Sequence, residues 1–289
     1  MTTDDIKELY PFTPHHHRIR DYSIHYVDEG DGQPVLMLHG NPTWSFLYRN
    51  LIMALRGEFR VIAPDHLGCG LSDKPQNADY SLGNHIYHIE SLVRALSLKQ
   101  VTIVGHDWGG AVARGYARLH PENVKRIVMM NTAAFSMPAI PLRIRVCRTP
   151  VLGSLMVRWL NLFCLAATFM ASVNPLPRMV KKGYLLPYDS PAHRIAVYRF
   201  IEDIPISPIH PSYETLLGIE HSLWMFSKTP VCLVWGMRDW CFTPEFLTKW
   251  MNYFPDANVL TLDNAGHLVL EDGKDEAIAF IRKFLKETH

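Results

Sequence analysis

The sequence predicts an α/β fold in which a mostly parallel sheet is covered by helices on both faces and carries an inserted helical cap. Short continuous apolar runs recur along the chain, for example Val35–Leu38, Val101–Val104 and Val231–Trp235. Such runs are typical of parallel strands, because helices on both faces of the sheet shield every side chain from water. Helix-like stretches separate the runs, and this alternation of strand and helix indicates a doubly wound architecture.

The predicted elements can be placed in order along the chain. The segment from Arg18 to Asp28 alternates apolar and polar residues and predicts the two strands of an N-terminal hairpin. Six buried strands are predicted after it, at Val35–Leu38, Val61–Ala63, Val101–Val104, Ile127–Met130, Val231–Trp235 and Val259–Leu262. The predicted helices between them are Ser45–Leu55, Leu82–Ala95, Ala111–Leu119 and Pro244–Tyr253. We therefore expect an eight-stranded sheet.

One long stretch interrupts the alternation. Between Phe135 and about Tyr213 no strand-like run occurs, and roughly eighty residues is far more than a crossover between neighbouring strands needs. We predict a helical cap domain at 135–213, inserted into a main domain made of 1–134 and 214–289. Its helix-like pieces are Val151–Val173 and Pro191–Ile204.

The predicted cap is both apolar and basic. The stretch Val151–Val173 is long enough to span a membrane, but Arg158 and Asn161 near its centre favour a cap helix over an apolar pocket. Between Phe135 and Tyr188 there are seven basic residues and no acidic one: Arg143, Arg145, Arg148, Arg158, Arg178, Lys181 and Lys182. A lid with solvated charges is the favoured interpretation, and contact with an anionic membrane or a protein partner is the alternative.

Composition limits the remaining possibilities. The 29 basic and 28 acidic residues are nearly balanced, so we expect no nucleic-acid partner. Five scattered cysteines and a polar N-terminal segment without an apolar core predict a reducing, cytoplasmic location. No phosphate-binding loop, dinucleotide fingerprint or metal-ligand cluster occurs, so no cofactor and no metal are expected. The composition does not indicate whether the chain forms an oligomer.

The strongest chemical motif follows the strand Val101–Val104. The chain reads Gly105-His106-Asp107-Trp108-Gly109-Gly110 and continues into a predicted helix. This is the nucleophile-elbow pattern, in which a strained strand-to-helix turn exposes a nucleophile above the sheet. Asp107 occupies the nucleophile position, and its carboxylate is ionised at neutral pH without help from a base. A carboxylate displaces a leaving group at an alkyl carbon and forms an ester.

Cleavage of such an ester by water needs a general base and a group that orients it. His267 follows the last predicted strand, where this fold places its base, and a histidine pKa near 6.5 allows proton uptake at neutral pH. Asp239 follows the strand Val231–Trp235 and is the candidate orienting acid. After Ile127–Met130 the chain offers Asn131 and no carboxylate, which is why the acid is assigned to Asp239.

Two further residues point to an anionic leaving group. The loop after Val35–Leu38 contains Asn41, in the region where this fold builds an oxyanion hole together with the backbone N–H after the nucleophile. The Asn41 amide and the Trp108 indole N–H are neutral donors, and both are expected to face the leaving group. A halide is an anion that two such donors would bind.

Together these residues resemble the haloalkane dehalogenases, a family of α/β-hydrolases, over nearly the whole chain. The segments that carry the resemblance are His39–Ser45, Asp65–Pro75 and Gly105–Gly110. The resemblance implies an α/β-hydrolase fold that acts on a small hydrophobic substrate and water and releases halide. It assigns roles to five residues: Asp107 as nucleophile, His267 as base, Asp239 as acid, and Asn41 with Trp108 as the halide-binding pair. Since many members carry Glu where this chain has Asn131, it resembles the subgroup with an Asp-His-Asp triad and an Asn-Trp pair.

That subgroup includes enzymes that decarboxylate cis-β-lactones in the biosynthesis of long-chain olefins. The segments Asn131–Phe135, Pro187–Ser190 and Arg199–Pro205 resemble those enzymes in particular. Because they use the same Asp, His and Asp, the site residues do not separate the two activities. Dehalogenation is placed first because Asn41 and Trp108 have an explicit role in it, whereas the long apolar cap fits a long-chain lactone better.

Two other hypotheses stay open. Epoxide hydrolases share the Asp elbow and need tyrosines in the cap, where Tyr184, Tyr188, Tyr198 and Tyr213 are available. Asn41 is unlike them, because an aromatic residue is usual at that position. A non-enzymatic membrane-docking or assembly module is the hypothesis from another class, and it leaves the set of five site residues unexplained.

Overall fold

The computed structural model describes residues 2–137 and 140–288 of the chain. They form one eight-stranded sheet in the order β1-β2-β4-β3-β5-β6-β7-β8, in which β2 runs antiparallel to both of its neighbours, β1 and β4, and all the other neighbouring pairs are parallel. The strands are β1 (His15–Ile19), β2 (Tyr22–Glu29), β3 (Pro34–Leu38), β4 (Arg60–Pro64), β5 (Val101–Asp107), β6 (Val124–Thr132), β7 (Val231–Gly236) and β8 (Asn258–Leu262). The predicted mostly parallel eight-stranded sheet is confirmed. Its hairpin begins at His15, before the predicted start at Arg18.

Helices cover both faces of this sheet. The α-helical elements are α1 (Arg49–Leu55), α2 (Leu82–Ala95), α3 (Trp108–Leu119), α4 (Leu142–Cys147), α5 (Leu152–Trp159), α6 (Leu162–Met170), α7 (Arg178–Leu185), α8 (Ile195–Glu202), α9 (Tyr213–His221), α10 (Pro244–Tyr253), α11 (Val269–Asp272) and α12 (Lys274–Glu287). Helices α2 and α10 have the predicted bounds. The predicted helix Ser45–Leu55 consists of a 3-10 turn at Ser45–Tyr48 followed by α1, and α3 begins at Trp108 rather than Ala111.

The apolar strands divide their side chains between two cores. In β3, Leu36 and Leu38 pack into the core beneath α2, α3 and α10, while Val35 and Met37 pack into the core beneath α1 and α12. Alternation along a strand sends successive side chains to opposite faces, so a continuous apolar run serves both cores. This arrangement holds the carboxyl ends of β3, β5, β6 and β7 together at one edge.

The chain between β6 and β7 is helical. Helices α4 to α9 lie in this stretch, and a separate small core formed around Val157, Tyr188 and Val197 holds several of them together. The predicted piece Pro191–Ile204 contains α8. The cap bounds of 135 and 213 stay a prediction, and residues 138 and 139 of that range lie outside the described residues.

The prediction of one helix-like piece at Val151–Val173 was wrong. The chain breaks between α5 and α6, which are bent by 68° relative to each other. Asn161 stands at the break with φ +54°, a left-handed conformation that ends a right-handed helix and that Asn tolerates better than most residues. In the described chain no single helix is long and apolar enough to cross a membrane, although this bent pair passes that test by length and composition.

Three hydrogen bonds attach the cap to the loop after β3. The Asn41 side-chain amide donates to the Val197 carbonyl at 3.0 Å, the Trp44 indole N–H donates to Gly183 at 3.0 Å, and the Tyr188 hydroxyl donates to Thr43 at 3.1 Å. All three bonds are buried, where a lost partner is costly. The cap is thereby held over the carboxyl ends of the parallel strands.

Candidate active site

Asp107 stands at the turn between β5 and α3. Its backbone has φ +53° and ψ −129°, a conformation that non-glycine residues seldom adopt. The turn is tight enough that a Cβ on Gly105 would overlap Gly110 and one on Gly109 would overlap the Leu38 carbonyl. Glycine at both positions therefore allows the strained turn that the motif predicts.

The Asp107 carboxylate is buried and hydrogen-bonded. Its Oδ1 accepts the backbone N–H of Asn41 at 2.7 Å, and the backbone N–H of Trp108 also donates to the carboxylate. Burial raises the pKa of Asp107, and this effect outweighs the lowering by His267 and the two N–H donors. The pKa is thus raised from its ordinary value, which makes the carboxylate more basic than an exposed one.

His267 lies between the two acidic residues. Its Nδ1 is 2.8 Å from Oδ2 of Asp239, and its Nε2 is 3.7 Å from Oδ2 of Asp107. Burial lowers the pKa of His267, but the charges of Asp239 and Asp107 and the hydrogen bond to Asp239 reverse this, so the pKa is raised. Because Nε2 is beyond hydrogen-bond distance from Asp107, it can accept a proton from a molecule placed between them.

Asp239 is held in place by several donors. Oδ1 accepts the backbone N–H of Cys241 at 2.7 Å, and Oδ2 accepts the Asn131 amide at 3.0 Å in addition to His267. Burial raises the pKa of Asp239, but the charge of His267 and these hydrogen bonds leave it below the ordinary value. A surface ion pair with Arg238 is not formed, since Arg238 donates to Asp263 and Asn264.

Asn41 and Trp108 reach the same space as Asp107. Both line the cavity above the carboxylate, and the Trp108 ring packs against Phe200 with centroids 5.3 Å apart. The Asn41 amide is already engaged, because it donates one N–H to Val197 of the cap. Within the described residues, the second N–H of that amide and the Trp108 indole N–H have no hydrogen-bond acceptor. The five predicted site residues thus lie together, and their catalytic roles stay predictions.

Three residues that support the site were not assigned a role from the sequence. Asn131 donates to Asp239 and also accepts the Gly236 N–H at 2.8 Å, so it ties the acid to the end of β7. His106 is 2.8 Å from the His267 carbonyl through Nε2, and Phe242 stacks on the His267 ring. A polar residue at the end of β6 was the only available signal for Asn131. The other two contacts depend on loop geometry that spacing does not reveal.

Replacing Asn131 with Ala is expected to weaken both the fold and the site. The change removes a donor to Asp239 and leaves the buried Gly236 N–H without a partner, which costs about 1–3 kcal/mol of unfolding free energy. It is also expected to lower kcat about tenfold for hydrolysis of a bromoalkane, the reaction in which His267 is the predicted base, because a hydrogen bond to a charged group is lost. A donor to the ionised form lowers the pKa of Asp239, so its loss raises that pKa. The acidic limb of the pH profile of bromoalkane hydrolysis should therefore shift to higher pH.

The pH profile separates this positioning role from a loss of packing. Thr102→Ala is the matched control, because Thr102 is a buried polar residue of β5 whose hydroxyl has no hydrogen-bond partner among the described residues. The control should leave the acidic limb of the profile where it is in the wild type. An unchanged limb in Asn131→Ala would contradict the role assigned to this residue.

A large apolar cavity opens from the carboxylate into the cap. Its volume is about 660 Å³, and Asp107, His267, Asn41 and Trp108 lie among its lining residues. The remaining wall is almost entirely apolar, and Arg143 is the only other charged side chain among the described lining residues. None of the four cap tyrosines considered for epoxide opening lines it. The site therefore presents the carboxylate of Asp107 to an apolar cavity large enough for a hydrophobic molecule of substantial size.

Comparison with known proteins shows the family and the fold of the chain. A family model described as alpha/beta hydrolase fold matches residues 33–146. The chain is 42% identical to a cis-3-alkyl-4-alkyloxetan-2-one decarboxylase of Shewanella oneidensis over 97% of this chain and 90% of the relative. It is 33% identical to haloalkane dehalogenase 2 of Mycobacterium tuberculosis over 96% of each chain. The crystal structure of the haloalkane dehalogenase DatA from Agrobacterium tumefaciens C58 shares the fold, with a TM-score of 0.86, 23% identity and coverage of 96% of this chain and 97% of that one.

Proposed function

We propose that this chain, which belongs to the α/β-hydrolase family that contains the cis-3-alkyl-4-alkyloxetan-2-one decarboxylases and the haloalkane dehalogenases, decarboxylates long-chain cis-β-lactones. The observation that carries the proposal is the apolar cavity of about 660 Å³ above Asp107. A small haloalkane would leave most of it unfilled, whereas two alkyl chains on an oxetanone ring would occupy it. The 42% identity to a decarboxylase also favours decarboxylation over haloalkane dehalogenation.

In the first step, an Asp107 oxygen attacks the ring carbon that bears the lactone oxygen. A carbon–oxygen bond to the carboxylate forms, and the bond to the ring oxygen breaks. The ring oxygen leaves as part of a substrate carboxylate, which takes the electron pair. This leaving group is an anion, so the N–H donors of Asn41 and Trp108 suit it as they would suit a halide.

In the second step, the enzyme ester breaks down without water. The substrate carboxylate leaves as carbon dioxide, and the electron pair of its carbon–carbon bond forms the double bond of an alkene. The ester carbon–oxygen bond breaks at the same time, and its electron pair restores the Asp107 carboxylate. Inversion in the first step followed by anti elimination in the second converts a cis-lactone into a cis-alkene. The apolar wall favours this step, since loss of carbon dioxide disperses a charge that water would stabilise.

Haloalkane dehalogenation is the second candidate, and the grouping of Asn41, Trp108 and Asp107 favours it. Asp107 would displace halide and form an alkyl ester. His267 would then take a proton from a water molecule that attacks the carboxyl carbon of Asp107 in this ester. The backbone N–H groups of Asn41 and Trp108 donate to the Asp107 carboxylate, whose oxygen would carry the developing negative charge during this attack. Both reactions thus begin with the same ester.

Assays with two substrate classes test the order of the candidates. The purified chain is given a cis-β-lactone with two long alkyl chains and, separately, a panel of bromoalkanes of increasing length. We expect carbon dioxide and alkene release to exceed halide release by about 100-fold in kcat/KM, because the lactone fills the apolar cavity with two alkyl chains, whereas a bromoalkane offers one. Halide release faster than carbon dioxide release would overturn the proposal in favour of dehalogenation.

A further inference from the structure

The cap presents an unusual number of apolar side chains to solvent. Of the twenty large apolar side chains that are exposed in the described chain, thirteen lie between Leu142 and Met179. They are Leu142, Val146, Val151, Leu152, Leu155, Trp159, Leu160, Leu162, Leu165, Phe169, Met170, Val173 and Met179. Single exposed apolar residues need no explanation, but a concentration of this kind marks an interaction surface.

The helices that carry these side chains are neighbours. Helix α5 contacts α4 and α6, and α6 contacts α7. Lys181 of α7 lies over the ring of Phe169 of α6, 3.9 Å from its centroid. The exposed side chains therefore belong to one surface, which we call the cap surface and define as the exposed residues between Leu142 and Lys182.

The cap surface is positively charged. The segment between Phe135 and Tyr188, which carries this surface, has seven basic residues, four of them exposed, and no acidic residue. Within residues 2–137 and 140–288 none of these seven side chains forms an ion pair. Arg145, Arg178 and Lys182 are exposed, so their charge is available to an external anion.

The cavity reaches this surface. Leu142, Leu162 and Met170 line the cavity above Asp107 and are also among the exposed side chains. Arg143 stands beside them, with its guanidinium 5.2 Å from the centre of the Trp240 ring. A molecule that leaves the cavity at this point emerges among apolar side chains and cations.

We propose that the cap surface docks onto an anionic phospholipid bilayer and that the cavity opens toward the lipid. The apolar side chains would enter the boundary between headgroups and acyl chains, and the arginines and lysines would contact lipid phosphates. The charge favours an anionic partner, and the many apolar side chains favour lipid over a nucleic acid. The 68° bend between α5 and α6 suits helices that lie in the plane of the membrane. Passage of a long-chain substrate from lipid to Asp107 rests on the proposed function, whereas the docking does not.

Vesicle flotation tests whether the basic residues of the cap surface contribute to binding of an anionic bilayer. The full chain is mixed at low salt with vesicles of phosphatidylcholine and phosphatidylglycerol in equal amounts, or with phosphatidylcholine alone. We expect binding to the mixed vesicles only. The variant Arg145→Gln/Arg178→Gln/Lys182→Gln should bind about 100-fold more weakly, because each basic residue near an anionic surface raises the affinity for that surface roughly fivefold. The control Lys99→Gln/Lys228→Gln/Lys283→Gln removes the same charge from exposed positions outside the cap and should bind like the wild type.

A pair of tryptophans tests the apolar contact. Trp159 of the cap surface is 66% exposed, and Trp224 outside the cap is 73% exposed. Trp159→Ser should lower vesicle binding about tenfold through the lost apolar area, and Trp224→Ser should leave it unchanged. Equal losses in the two charge variants, or no difference between the two vesicle compositions, would overturn the proposal. So would a stable dimer in solution that covers Trp159. Since flotation uses no substrate, its failure is independent of whether the chain turns over a lactone.

Discussion

Replacing Asp107 with Asn is expected to abolish turnover of both the β-lactone and the bromoalkane. The Asn side chain preserves the shape of the carboxylate and can still accept the N–H groups of Asn41 and Trp108, but it has no negative charge with which to attack carbon. We expect kcat/KM to fall by at least about 10⁴-fold for each substrate. Carbon dioxide, alkene and halide release measure this loss directly.

A matched substitution separates chemistry from folding. Asp256→Asn makes the same change at an exposed aspartate near the start of β8 and should leave both activities intact. Asp107→Asn should also have a Tm at least as high as that of the wild type, because the substitution removes a buried carboxylate whose pKa is raised by burial. Retained turnover of either substrate by Asp107→Asn would show that another group is the nucleophile.

Replacing His267 with Gln is expected to affect the two substrates differently. With a bromoalkane, Asp107 still forms the ester, but the general base that activates water is lost, so turnover should fall about 10³-fold. The peptide that carries Asp107 should then gain the mass of the alkyl group. With a cis-β-lactone, breakdown of the ester needs no water, and the loss should stay below about tenfold.

An exposed histidine provides the control for this experiment. His221→Gln makes the same change at the end of α9 and should neither trap an ester nor slow either reaction. If His267→Gln turned over bromoalkanes normally and carried no adduct, the role of His267 as base would be wrong. A stable adduct with the lactone would show that the second step depends on His267.

The residues of the candidate site could be predicted from the sequence because each follows a strand. Continuous apolar runs identify the parallel strands, and parallel strands bring their carboxyl ends to one edge of the sheet. Asp107, Asp239 and His267 each come shortly after such a run, so their proximity follows from the order of the strands. The glycines around Asp107 added the local geometry. The structure brings these three side chains together as this reasoning expects.

The helices of the cap were harder to predict from the sequence, for a physical reason. Its helices are short and pack on one another, so their apolar residues do not follow a single period over a long stretch. The break at Asn161 depends on one residue in a left-handed conformation, which an apolar run of Val151–Val173 conceals. The bond between Asn41 and Val197 joins residues 156 positions apart. Such contacts arise from tertiary packing, and the size of the cavity follows from them.

Turnover of a cis-β-lactone in water enriched in ¹⁸O tests most directly the claim that Asp107 forms an ester which breaks down without water. After many turnovers the peptide that carries Asp107 is isolated and its mass is measured, with a bromoalkane reaction as the comparison. We expect alkene and carbon dioxide with no ¹⁸O in Asp107, since fragmentation returns the original carboxylate oxygens. Any bromoalkane turnover should place ¹⁸O in Asp107, because water attacks the ester carbon. Incorporation of ¹⁸O into Asp107 during lactone turnover would show that water cleaves the ester and that the fragmentation step is wrong.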